Sequence, residues 1–256
     1  MRLIIMLMLI SAVAFGNSDK RISELQKDML AFDQAYIPLW YQLRSGDIIK
    51  AKKQVLYVNF KWQQVRKKYE FAVADIEWTD RFCKANEWLN DAFTSIDFNR
   101  PKIAAVQLNH VRYELAALRS HFNIDYPLDA IFNIQEQAEA VLEVVQDDKL
   151  CLLEWNELEL MVARLNDDWF AFQSKRYDPI LFDLNLKDRA LMKKYREDIA
   201  LHLIQVNHAI KGAQQLEMME CVIPLAKTTT ALLKLFGEFD AFQTHTAGML
   251  PESWMD

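Results

Sequence analysis

The chain has 256 residues, a net charge of −6, and only five glycines and six prolines. The acidic balance weighs against nucleic acid or an anionic membrane surface as partner, since both demand a basic footprint. Few turn-forming residues, set among many Leu, Ala, Glu, Gln and Lys, weigh against a strand-and-turn architecture and favour helix.

The first residues, MRLIIMLMLISAVAFGNSDK, read as a secretory signal. Arg2 supplies the positive end, Leu3 to Ile10 are apolar, and both Ala12-Val13-Ala14 and Ala14-Phe15-Gly16 fit small-x-small cleavage. The run is short for a membrane span, and an uncleaved N-terminal anchor is the alternative. Residues 1–16 are therefore expected to be a signal peptide, cut after Ala14 or Gly16, with export to the periplasm and no stable membrane insertion afterwards. Cleavage removes Arg2 and leaves 29 basic against 36 acidic residues, a net charge of −7. The three cysteines, Cys83, Cys151 and Cys221, cannot all pair and form no disulfide framework. Free thiols are expected, with one bridge as the alternative.

Apolar periodicity then marks about eight helices. Ile22, Leu25, Met29, Phe32, Tyr36, Leu39 and Leu43 recur in steps of three and four, a stripe along one face of a helix. The stripe keeps its phase across Pro38, so Ile37-Pro38-Leu39 reads as a kink inside one helix rather than a break. Ser45-Gly46-Asp47 ends it, with Asp47 placed to cap the next helix. Ile48, Ala51, Val55, Val58, Trp62, Val65 and Tyr69 mark the second helix, antiparallel to the first across a tight turn. A third spans about Trp78 to Ile96. Asn99 and Pro101 read as cap and first turn of a fourth, through Ala104, Leu108, Val111, Leu115 and Leu118.

The stretch Asn123-Ile-Asp-Tyr-Pro127 is the expected domain boundary, with Asp125 as cap and Pro127 in the first turn of a fifth helix. Asp147-Asp148 turns the chain into a sixth, marked by Cys151, Trp155, Leu158, Val162, Leu165, Trp169 and Phe172. After a connection containing Pro179, Asn185 caps a seventh helix that ends or bends at Gly212. The eighth carries Val222, Leu225, Thr229, Leu232, Phe236 and Phe239. The expected fold is all-α: two tandem antiparallel four-helix bundles, 17–123 and 124–242, with a tail over 243–256. A helical-hairpin array is the alternative. Two weak matches point to internal duplication: Val55-Val58-Trp62-Val65 with Val162-Leu165-Trp169-Phe172, and Gln107-Leu-Asn-His110 with Gln205-Val-Asn-His208.

Candidate chemistry is sparse. Covalent haem needs Cys-x-x-Cys-His and a dinuclear iron bundle needs Glu-x-x-His on two helices; neither motif occurs. A non-covalent haem or metal ion remains open as cofactor, with His202, near the edge of its helix's apolar stripe, as the leading candidate ligand. His110 and Glu114, four residues apart on one helix face, form a second candidate metal pair. Glu136, Glu139 and Glu143 share a face, the pattern of a solvated helix surface. Trp40 and Trp88 fall off the main apolar stripes and are candidate interface residues. Neither a nucleophile motif nor a glycine-rich phosphate loop is present. The expectation is an exported binding or scaffold protein, not an enzyme, that recognises a protein partner or a small apolar ligand between its helices. A haem- or metal-binding periplasmic bundle is the alternative.

Overall fold

The computed structural model describes the backbone of residues 2–147, 152–175, 182 and 184–239 and, outside 2–22 and 152–153, their side chains. Cys151, Asp148, Pro179 and the tail expected over 243–256 lie outside the described residues. Among the described residues eight helices run in chain order: α1 (Arg2–Arg44), α2 (Ile48–Tyr69), α3 (Ile76–Asp97), α4 (Pro101–His121), α5 (Pro127–Val145), α6 (Leu152–Ser174), α7 (Leu186–Lys211) and α8 (Gln215–Lys234). Among the described residues there is no strand, and no helix long and apolar enough to cross a membrane. The fold is all-α.

Local chemistry sets the helix ends. Asp47 accepts from the Lys50 backbone N–H at 3.1 Å, and Asp75 accepts from Glu77 at 2.8 Å and Trp78 at 3.3 Å. Asn185 accepts from Asp188 at 3.0 Å. Each satisfies a first-turn donor that the helix leaves unpaired. Two expected caps are overturned. Asn99 does not cap α4: it takes a left-handed φ of 56° and closes the end of α3, while α4 opens on Pro101, whose missing N–H needs no partner. Asp125 does not cap α5 either; that helix opens on Pro127, and the Asp125 carbonyl accepts from Gln26 Nε2 at 2.8 Å.

The chain forms two compact units. Unit 1 comprises Met1–Asp125 and Gly237–Asp256, and unit 2 comprises Tyr126–Phe236. In unit 1, α1 packs on α2, α2 on α3, α3 on α4 and α4 on α1. In unit 2 the same cycle runs through α5, α6, α7 and α8. Thus Gly237–Phe239, which the sequence alone places in the second bundle, belongs to unit 1.

That return is tied to Pro38. A proline in a helix interior cannot donate to the carbonyl four residues back. Here the carbonyl of Gln34 accepts instead from the Glu238 N–H, at 2.8 Å. Gly237 makes the approach possible: a Cβ there would meet Ile37 Cγ2 and Phe239 Cε2 at 2.9 Å and Pro38 Cδ at 3.1 Å. Phe239 sets its ring edge-on to Tyr41 at 5.8 Å, and the Tyr57 hydroxyl donates to Glu238 Oε2 at 2.9 Å. Burial first, then the Glu238 carboxylate, push the Tyr57 hydroxyl well above its ordinary range.

The unit 1 core is built on aromatic rings. Phe32 of α1 meets Trp62 of α2 at 5.3 Å, Trp62 meets Phe82 of α3 at 5.9 Å, and Trp78 meets Phe82 at 5.4 Å. In unit 2, Leu128, Val141, Leu165, Ile199, Val222 and Leu225 are fully buried aliphatics from all four helices. Gln215 Nε2 ties the start of α8 to the end of α5, donating to the carbonyls of Val145 at 2.9 Å and Asp147 at 2.8 Å. These are carbonyls that a helix end leaves without intrahelical donors.

Candidate functional site

Trp40, a candidate interface residue, lies inside unit 1. It is only 2% exposed, and its indole donates to Asn109 Oδ1 at 3.3 Å. The reason is that α1 packs on both α2 and α4, so a residue off one stripe lies on the other. Trp88 is half-buried and stacks on the His110 imidazole, with centroids 4.3 Å apart.

His110 and Glu114 are directed to different partners. His110 lies against Trp88 and, edge-on, against Tyr113 at 6.1 Å. Glu114 accepts from Arg81 at 2.7 Å, and Arg81 also holds Glu77. His202 is half-buried on α7, with Nδ1 at 3.2 Å from Gln205 Oε1. His202 lies in unit 2 and the other two candidates in unit 1. Among the described residues, no three His, Cys, Asp or Glu side chains converge on a common point. Cys83 and Cys221 carry free thiols. Burial, followed by Glu70, raises the Cys83 thiol; burial, followed by Glu217 and Glu220, raises Cys221. A raised thiol is the opposite of an activated nucleophile.

Unit 2 has a cleft of about 440 Å³ between α6 and α7, its most loosely packed neighbours. Ala163 on α6 and Ala200 on α7 line it, and larger side chains at either position would fill it. Phe170 and Ile204 flank it, each 66% exposed, and Leu160 lies further along α6 at 60% exposed. Large apolar side chains left in water beside a cavity are the usual sign of a surface made to be covered.

Polar groups in the cleft are few. Asn166 and Asn207 pair across it, Asn166 Nδ2 donating to Asn207 Oδ1 at 2.9 Å and Asn207 Nδ2 to Asn166 Oδ1 at 2.8 Å. Asn166 Nδ2 also donates to the Val162 carbonyl at 2.7 Å. Among the described lining residues Asp167 is the one with a charge, and Arg196 of the facing helix donates to the carbonyl of the lining residue Gln173 at 3.3 Å. Trp169, 2% exposed, is among the lining residues, and its ring stands 5.4 Å from that of Phe172.

The sequence placed Trp169 in the core through its apolar stripe, and it is buried there. The stripe carried no sign of the cleft, because α6 and α7 stand apart where Ala163 and Ala200 face the gap. Phe170, Leu160 and Ile204, lying off their stripes, were the available signal. The chain matches no protein-family model, no curated protein and no solved structure.

Proposed function

We propose that this is an exported helical binding protein, not an enzyme, whose α6–α7 cleft holds a small apolar ligand. In this reading each unit is an antiparallel four-helix bundle. Unit 1 is closed by its own returning segment, and unit 2 carries the site. The observation that supports it is the exposure of Phe170 and Ile204 beside a cavity of about 440 Å³. Burying an exposed phenylalanine or isoleucine side chain contributes roughly 1.5–3 kcal/mol, enough to favour an apolar guest. The export part of the proposal rests on the N-terminal sequence.

The test uses the neutral dye N-phenyl-1-naphthylamine, whose emission rises in apolar surroundings. The purified protein should bind it with one-site stoichiometry. Ala163→Phe, a change at an exposed position, should abolish binding while leaving the helical circular dichroism spectrum intact. Undiminished binding in that variant would remove the cleft as the site. N-terminal sequencing of exported material tests the signal: a product beginning at Met1 refutes cleavage.

A further inference from the structure

The four most buried tryptophans differ in one respect. The Trp40 indole donates to Asn109 Oδ1 at 3.3 Å, Trp62 to Asn86 Oδ1 at 3.0 Å, and Trp78 to the Tyr69 carbonyl at 2.7 Å. Trp169 is as buried as these, at 2% exposure, yet its N–H has no acceptor among the described residues. An indole has one donor and no acceptor, so an N–H without a protein acceptor is open to an oxygen of a guest. Trp169 is also the only one of the four that lines the α6–α7 cleft.

A second donor lies beside it. Asn207 spends one amide hydrogen on Asn166 Oδ1, which leaves the other for a guest. The local charge decides what kind of acceptor fits. Asp167 lines the cleft and has no ion-pair partner among the described residues. Of the carboxylates on α6, Asp167 is the one among the cleft's lining residues. On α7, Arg196 reaches the carbonyl of the lining residue Gln173 at 3.3 Å, and residues 199–210 carry no Lys or Arg. An anionic acceptor in the cleft would meet the Asp167 carboxylate as a like charge.

The geometry points to a ligand that is an uncharged, largely apolar molecule bearing a carbonyl-type oxygen, which accepts from the Trp169 indole N–H. This rests on the cleft-binding reading above and specifies its ligand. The apolar body covers Phe170 and Ile204, and the oxygen meets the donor that the fold leaves unused.

Three probes of like size separate the elements: 2-acetylnaphthalene, 2-ethylnaphthalene and 2-naphthoate. Titration calorimetry on the full chain should show 2-acetylnaphthalene binding about fivefold to tenfold more tightly than 2-ethylnaphthalene, the span of one net hydrogen bond. 2-Naphthoate should bind more weakly than the ketone. Trp169→Phe keeps a ring but removes the donor, so the ketone's advantage should vanish while 2-ethylnaphthalene affinity holds within about twofold. In the unmodified protein, the Trp169 indole N–H proton resonance should move downfield with the ketone and not with the hydrocarbon. That second measurement stands even if Trp169→Phe folds poorly. Equal binding of ketone and hydrocarbon, a preference that survives in Trp169→Phe, or tightest binding by the naphthoate would overturn the ligand class and leave the cleft-binding reading intact. Failure of all three probes to bind would overturn both.

Discussion

Replacing Gly237 with alanine tests whether the returning segment is fitted to the Pro38 kink. The backbone at Gly237 has no positive φ that would require glycine, so the requirement is for space alone. The added Cβ would stand 2.9 Å from Ile37 Cγ2 and Phe239 Cε2, and 3.1 Å from Pro38 Cδ. Phe239 is half-buried and can turn aside, but Ile37 is fully buried and the proline ring is rigid. If the segment stays, overpacking costs about 1–3 kcal/mol. If it lifts, the Gln34 carbonyl loses its donor, at a cost of about 1–3 kcal/mol where that group remains buried. Alanine also stiffens the unfolded chain, which returns about 0.4–1 kcal/mol. A net loss of about 1–2 kcal/mol follows. Urea unfolding measures the total, and hydrogen exchange at the Glu238 amide reads the contact itself, with protection expected to fall about tenfold. Pro38→Ala restores a competing N–H for Gln34, so the double variant should be less destabilised than the sum of the single changes. Unchanged stability and unchanged Glu238 protection in Gly237→Ala would refute the fit.

Trp62→Ala should destabilise by about 3–5 kcal/mol in denaturant titration, because the ring joins Phe32 to Phe82 and its indole holds Asn86; a loss under about 1 kcal/mol would contradict that role. Ala213 follows α7 with a left-handed φ of 48°, a strain of roughly 1–2 kcal/mol for a residue with a Cβ. Ala213→Gly should therefore raise the thermal midpoint, and a lower midpoint would count against strain there. The Tyr57 hydroxyl is raised in the folded state by burial and Glu238. Its stabilising contribution is thus complete below the ordinary tyrosine value of about 10 and declines as pH rises past it, when the unfolded state sheds its proton first. Between pH 10 and 12 the unmodified protein should lose stability more steeply than Tyr57→Phe; parallel curves would exclude the linkage.

Helix class and helix number were legible because burial on one face writes itself into the sequence at steps of three and four. Where one helix meets more than one neighbour, that reading runs out. α1 is buried by α2, by α4 and by Gly237–Phe239, so Trp40 belongs to the core although it leaves the first stripe. Caps were legible where the side chain itself does the work, as at Asp47 and Asn185. They were not where a proline opens the helix, because Asn99 and Asp125 then serve the preceding turn and a distant glutamine. The return of Gly237–Phe239 to unit 1 had no periodic signal: it depends on a carbonyl that a proline two hundred residues earlier leaves without a donor.

The cleft shows the same limit at the level of chemistry. Trp62 and Trp169 align in the two proposed repeats, sit on apolar stripes and are equally sequestered. Periodicity treats them as equivalents. They differ in the partner of the indole N–H: Trp62 donates to Asn86, whereas Trp169 lines the cleft with Ala163 and Ala200 and its N–H has no acceptor among the described residues. Core packing needs the ring and is indifferent to the N–H, so a purely structural Trp169 would tolerate phenylalanine without consequence for any guest. Binding needs the N–H as well. The selective loss of carbonyl recognition in Trp169→Phe, with hydrocarbon affinity retained, therefore separates a residue that only fills space from one that also reads a ligand.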